Sequence, residues 1–411
     1  MSTDHAAKFK KYGARHYGFN KKEIVVKTAK GIVVLDTKGN RYLDLVSGYA
    51  SNGFGHAYKP LRAAMIDALV LDEEDWGIPG TIPNAIPTAH QTDFLERICT
   101  CFGYEKALPM NSGAEAVETG LKLARKWAYT RKGIERDTAL IVVCKGNFHG
   151  RPITEISFSS EELYKKDFGP HTPGFIEVPF GDSDMLEQAF KEHTNIAAFL
   201  FEPIQGESGV NIPPKGYLKK VRKLCTQYNV LMIADEVQTG LGRTGKLLAC
   251  DHEGVRPDIV LLAKLLGGGK IPVSCVLADE QHMVFEPGEH GSTYAGNAFG
   301  MTVASKVLDL IVKKRLCENA SQKGAYLLAE LTSALLPRFK EYIKEIRGQG
   351  LLIGIELSSR VQSADIIDKF FDVGLLAKDA HGVIRISPAL IITKTECKKI
   401  VRLITKAFSL I

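Results

Sequence analysis

Two apolar runs, 230–234 and 259–263, each have the length of a buried strand, and each is followed at once by a charged residue, Asp235 after the first and Lys264 after the second. Continuous Val/Ile/Leu runs are the signature of parallel strands covered on both faces. In open α/β sheets, ligands sit outside the carboxyl ends of the strands. An acid and an amine would therefore project from two strand ends into one crevice, where neither tolerates burial without a partner. A structural Lys–Asp pair at the rim of the core meets that demand. So does a cofactor that offers an aldehyde to the amine and a ring nitrogen to the acid. These two residues alone leave the choice open.

The surrounding pattern supplies the sheet. Further strand candidates lie at 140–144, 197–201 and 273–278, with a helical pattern at 215–228 among them, an alternation that implies a mostly parallel, helix-covered sheet. Residues 111–127 place Val117, Leu121, Ala124 and Ala128 on one apolar helix face. Ser112 followed by Glu115 forms a capping box that fixes where this helix begins. Upstream, 24–45 reads as a small antiparallel start, 47–60 as loop, 61–72 as helix, and the proline-broken 77–90 as an ordered loop. Beyond 300 the character changes to a long helical stretch (301–340) and a strand pair or bent strand around the glycines of 345–357. A helix (363–372), a strand (383–387, stopped by Pro388) and a final helix (394–409) follow. The expected organisation is an N-terminal segment (1–50) packed with a small C-terminal α+β domain (301–411), and a large α/β domain between them (51–300).

Composition narrows the function classes. With 53 Lys and Arg against 47 Asp and Glu and no run of five like charges, the chain carries no surface built for nucleic acid or a membrane. No apolar stretch approaches 18 residues, and the N-terminus lacks the apolar core of a secretory signal. Eight scattered cysteines without a CxxC pair read as reduced thiols, not as a disulfide frame or a metal site. The expectation is a cytoplasmic enzyme; a mitochondrial one stays open if a presequence has been removed.

Several motifs carry chemistry. Asn111-Ser112-Gly113-Ala114 opens a helix, whose free N–H groups and dipole suit a phosphate, although an ordinary capped helix reads the same way. Gly146-Asn-Phe-His-Gly-Arg151 follows the 140–144 strand. Phe148 there can stack on a ring and Arg151 can hold a carboxylate, against the plainer readings of core packing and surface charge. His149 alone reads as structural. Glu202 and Glu207 follow the 197–201 strand on the crevice side. Arg385 sits inside an apolar strand and needs an acidic partner, either internal or a substrate. His290-Gly-Ser-Thr-Tyr294 offers hydroxyls within reach of a phosphate. Gly240-Leu-Gly-Arg-Thr-Gly245 matches GxGxxG, but no strand runs directly into it and no adequate helix leaves it, so a dinucleotide reading fails on context.

Taken together, the stretches YGARHY, PMNSGAEAVETGLKLARKW, GNFHGR, EPIQGESGV, IADEVQTGLGRTGKLLA, RPDIVLLAK, PGEHGSTYAGN and HGVIR resemble, in order and over nearly the whole chain, the class III aminotransferases. Within that class they resemble the ornithine aminotransferases most. The resemblance implies the pyridoxal-phosphate-dependent fold type I and a homodimer with sites at the interface. It implies Lys264 as the lysine that holds the cofactor aldehyde, Asp235 on the pyridine nitrogen, Gln238 on the ring hydroxyl and Phe148 on the ring face. The phosphate would lie on Ser112, Gly113 and Ala114, helped by Ser292 and Thr293 of the partner subunit. Ornithine's α-carboxylate would lie on Arg151. Glu207 would mask Arg385 until 2-oxoglutarate displaces it and places its own α-carboxylate there. Tyr17 and Tyr49 match tyrosines of the ornithine enzymes. His149, where animal ornithine enzymes carry tryptophan, is nearer the acetylornithine enzymes, so acetylornithine or 4-aminobutyrate remains the alternative donor.

Overall fold

A computed structural model describes residues 4–14, 22–83 and 85–411. Its centre is a seven-stranded sheet in the order Lys106–Met110, Ser274–Ala278, Ile259–Leu262, Leu231–Asp235, Ile196–Phe201, Leu140–Cys144, Phe175–Val178. The last five strands run parallel, while Ser274–Ala278 is antiparallel to both its neighbours. Every residue of Ile196–Phe201, Leu231–Asp235 and Ile259–Leu262 is buried, as uninterrupted apolar runs require when helices cover both faces.

Alternation along these strands sorts their side chains between two layers. Leu231 and Ile233 join the cluster under helix Gly113–Trp127, whereas Met232 and Ala234 join the one under helices Ser183–Glu192 and Tyr217–Gln227. By the same parity, Asp235 faces the side of helix Gly113–Trp127. That helix begins at the expected capping box and buries Val117, Leu121 and Ala124 against the sheet. Gly120 permits the close approach: a Cβ there would stand 3.1 Å from the Leu261 side chain.

The parallel strands Leu140–Cys144, Ile196–Phe201, Leu231–Asp235 and Ile259–Leu262 release their carboxyl ends along one edge. There the chain reads GNFHGR, EPIQGE, EVQTG and AK. The C-terminal part adds an antiparallel sheet in the order Ile343–Gln349, Leu352–Leu357, Val383–Ile386, Lys378–Ala380, so the glycine-rich segment is a strand pair. The strands Val26–Lys30, Val33–Asp36 and Arg41–Asp44 form the antiparallel start, and Arg41–Asp44 pairs in parallel with Leu375–Leu376.

Two elements differ from expectation. The first helix after the N-terminal strands spans Lys59–Asp67, opening on Pro60 and ending before the exposed Leu69–Leu71. Ala89–Phe102 is a helix that its apolar spacing hides, since only Phe94 and Ile98 are buried; its Thr88 cap and left-handed Gly103 stop mark the ends. No helix of the described residues is long and apolar enough to cross a membrane.

The GLGRTG stretch turns out to join parts of the chain. Gly242 and Gly245, both at positive φ, bring the backbone against Cys317 and Ser321 of helix Leu316–Phe339. Arg243 is 1% exposed; its Nη1 donates to the carbonyls of Leu351 (3.1 Å) and Pro388 (2.6 Å), and Nη2 to that of Ala50 (3.5 Å). Burial lowers its pKa to about 9 against the pull of Asp44. Replacing it should orphan these carbonyls, at about 1.5–3 kcal/mol for each bond to a charged donor. Arg243→Ala is therefore expected to lose about 3 kcal/mol or more in denaturant unfolding, and an unchanged midpoint would contradict the role.

Candidate active site

Lys264 lines three adjoining cavities of about 180, 340 and 520 Å³ at the carboxyl edge of the sheet. The smallest is bounded by Asp235, Gln238, Phe148, His149, Glu202 and Glu207, with Gly113 and Ala114 also lining it. Lys264 follows its strand in a short 3-10 turn and holds φ at +43°, a left-handed conformation that is costly for a side-chain-bearing residue and is typically kept where position matters. Its amine has no hydrogen-bond or ion-pair partner among the described residues. Burial lowers the lysine pKa, with Arg385 adding to the effect, while Glu207, Asp235 and Glu202 oppose it.

Asp235 ends its strand with one oxygen accepting from Val237 N–H (3.0 Å) and the other 2.7 Å from His149 Nδ1. The histidine is fully enclosed. Burial works against its charge, yet the Asp235 bond and the nearby Glu202 and Glu155 carboxyls leave its pKa raised. Glu202 accepts from Phe148 N–H (3.0 Å), and burial lifts its own pKa to about 8. Gln238 donates to Glu207 (3.1 Å), while its Oε1 is buried and without a partner among the described residues. Gly206 makes room for that amide: a Cβ there would fall 1.5 Å from Gln238 Oε1.

At the helix start, Ser112 Oγ caps Glu115 N–H, which leaves the N–H groups of Gly113 and Ala114 for an outside acceptor. The HGST segment lies on the same helix. His290 meets Thr119, and the Ser292 hydroxyl lies 2.9 Å from both Asn111 Nδ2 and Glu115 Oε1 of its own chain, with Thr293 exposed beside it.

Arg385 is 1% exposed, paired through Nη1 with Glu207 (2.5 Å) and with Gly206 O (3.2 Å), and its Nη2 has no partner among the described residues. Burial raises the pKa of Glu207, but the charge and hydrogen bond of Arg385 outweigh it and hold the carboxyl below its ordinary value. The Tyr49 ring lies 5.5 Å from that guanidinium. Its loop is anchored by Asp44, which accepts from Val46 and Ser47 N–H, and by Ser387, which donates to Leu45 and Val46 carbonyls. Arg151 sits at the mouth with no acidic partner among the described residues, its guanidinium 3.7 Å from the Tyr164 ring centre and 5.5 Å from that of Phe148. Tyr17 lies outside the described residues. Sequence reasoning missed the His149–Asp235 pair and Tyr164; the helix Glu162–Lys165 that carries the tyrosine is too short to show a period.

The family described as aminotransferase class-III matches residues 16–408. The chain belongs to the class III aminotransferases. It is 46% identical over 385 residues to the mitochondrial ornithine aminotransferase of Arabidopsis thaliana, covering 91% of this chain and 79% of that one. The ornithine aminotransferase structure from Toxoplasma gondii superposes with a TM-score of 0.93 at 39% identity, covering 98% of this chain and 94% of the other. The acetylornithine aminotransferase of Elizabethkingia anophelis reaches a TM-score of 0.86 at 37% identity, with 98% of each chain covered.

Class III aminotransferases are pyridoxal-phosphate enzymes of fold type I. The residues present fit that group: an unpartnered amine, a carboxylate at a strand end, a buried amide oxygen awaiting a donor, and free N–H groups at a helix start face one cavity. Gly206→Ala should drive Gln238 out of this arrangement. Its expected outcome is faster loss of cofactor on dialysis, read by absorbance, and turnover lowered by roughly 10-fold or more, about 1.4 kcal/mol of barrier. Retention and turnover equal to the wild type would contradict the packing argument.

Proposed function

We propose that this aminotransferase moves the δ-amino group of L-ornithine to 2-oxoglutarate, giving glutamate 5-semialdehyde and glutamate. The observation that carries the reading is the Arg385–Glu207 pair under Tyr49, beside an unpartnered Lys264. An arginine held by an internal carboxylate accepts a diamine acid without attracting its α-carboxylate, and accepts a diacid once that carboxylate swings away. Ornithine aminotransferases of 42–46% identity support the choice of donor.

Bound pyridoxal phosphate supplies an aldehyde for amines and a ring that takes up the electron pair left when a C–H proton departs. Asp235, steadied by His149 and Val237, would keep the ring nitrogen protonated. Gln238 would reach the ring hydroxyl, and Phe148 would cover one ring face. Ser112, Gly113 and Ala114 would hold the phosphate, together with Ser292 and Thr293 of the partner subunit in a homodimer. Lys264 Nζ takes the proton from the substrate carbon bearing the amine and later returns one to the oxo-acid carbon. Its lowered pKa keeps a larger share of the amine unprotonated.

Arg151 holds ornithine's α-carboxylate with its guanidinium plane fixed on Tyr164. Tyr17 and Tyr49 line the donor side. In the second half-reaction Arg385 takes the α-carboxylate of 2-oxoglutarate in place of Glu207. The proposed organisation is the large domain over 51–300 and a small one over 301–411 joined by 1–50, in a cytoplasmic enzyme.

Half-reactions followed through the cofactor's absorbance test the reading. Ornithine should convert the cofactor faster than N-acetylornithine or 4-aminobutyrate; a reversed order assigns another donor. Arg385→Ala is expected to slow the 2-oxoglutarate half-reaction at least about 100-fold, the scale of about 2.7 kcal/mol of lost charge-assisted binding, and the ornithine half-reaction much less. Equal losses would contradict the two-arginine scheme.

A further inference from the structure

Behind the Asp235 carboxylate the protein buries a second one. Glu155, on the short helix Ile153–Ser157, is 1% exposed, and neither carboxyl oxygen has a hydrogen-bond partner among the described residues. Its side chain packs beneath the cofactor site. A Cβ on Gly150 would stand 3.2 Å from Glu155 Cγ, 3.3 Å from its carboxyl carbon and 3.3 Å from Ala114 Cβ. Gly150 directly follows His149, whose Nδ1 is committed to Asp235 and whose Nε2 is buried and likewise unpartnered. The two groups make no direct hydrogen bond or ion pair with each other, so this carboxyl and imidazole nitrogen, left unsatisfied on either side of Gly150, call for one bridging donor and acceptor, which a single water supplies.

We propose that Glu155 is a positioning residue for the cofactor nitrogen: through one water to His149 Nε2, it completes a carboxyl–water–imidazole–carboxyl chain that sets the charge behind Asp235. The inference rests on the aminotransferase reading of the site. One proton lies between His149 Nε2 and Glu155, on the imidazole or on the carboxyl, and either placement leaves that pair neutral. When this proton leaves to solvent, two carboxylates flank a neutral imidazole. The added negative charge then raises the proton affinity of the ring nitrogen held by Asp235.

The charged groups facing Glu155 enter this balance. Glu118 comes from helix Gly113–Trp127, His149 from the loop after Leu140–Cys144 and Asp235 from its strand end, while Glu202 acts on His149 from the strand beside it. Burial pushes the Glu155 carboxyl up to about 7 against the pull of its own backbone N–H and of His149, with Glu118 and Asp235 adding to the rise. The chain should therefore change its charge near neutral pH.

The test is a pH titration of the absorbance band of the holoenzyme's bound cofactor. The wild type is expected to show a step near pH 7 that Glu155→Gln loses and Glu155→Asp retains at a displaced pH. The imidazole ¹⁵N resonances of His149 in the unmodified protein should titrate in step with the band, a readout that needs no variant to fold. Superimposable band titrations in the wild type and Glu155→Gln, or a His149 that does not respond near pH 7, would overturn the inference while leaving the aminotransferase reading intact. A protein that takes up no pyridoxal phosphate would overturn both.

Discussion

The site depends on how one carboxyl group is held at the end of a buried strand. Asp235 is 5% exposed, and a lone ion in such a place would take up a proton or pull the strand end apart. Val237 N–H and His149 Nδ1 hold its two oxygens instead, and Lys264 adds a nearby amine whose own charge burial disfavours. The cavity thus pairs a carboxyl gripped by two hydrogen bonds with an amine whose charge burial disfavours. That contrast is what a reaction needing an electron-poor ring and a basic lysine asks of its surroundings.

The fold produces this contrast through strand parity and strand direction. Because Leu231, Ile233 and Asp235 share one side of the sheet, the acid arrives beside the free N–H groups of Gly113 and Ala114. Because the strands ending in Cys144, Phe201, Asp235 and Leu262 run parallel, four loops meet at one edge with their functional side chains together. Arg385 comes from a different sheet. It is brought in by Val383–Ile386 and by the bonds that tie Ser387 to Leu45 and Val46, which also carry Tyr49 into place. The buried Arg243 joins Ala50, Leu351 and Pro388 just behind.

Much of this was legible in the chain because it is local. The apolar strand runs, the Ser112–Glu115 box, the helix face of Val117, Leu121 and Ala124, and the charges after two strands are written within a few residues of one another. The features that stayed hidden are contacts between distant segments. His149 reads as an ordinary histidine until folding sets it against Asp235, 86 residues away. Arg243 reads only as one residue of a glycine-rich stretch until its carbonyl partners arrive from three other segments. Tyr164 carries no periodic signal, and its place on Arg151 comes from the fold of the cavity mouth. The Glu207–Arg385 pair was expected from the resemblance, not from spacing, because the two residues meet only through tertiary structure.

The most direct measurement is to load the protein with pyridoxal phosphate, reduce it with borohydride and map the modified peptide by mass spectrometry. The account predicts a single pyridoxyl group on Lys264. A label on another lysine, or none on a protein that has taken up the cofactor, would contradict it.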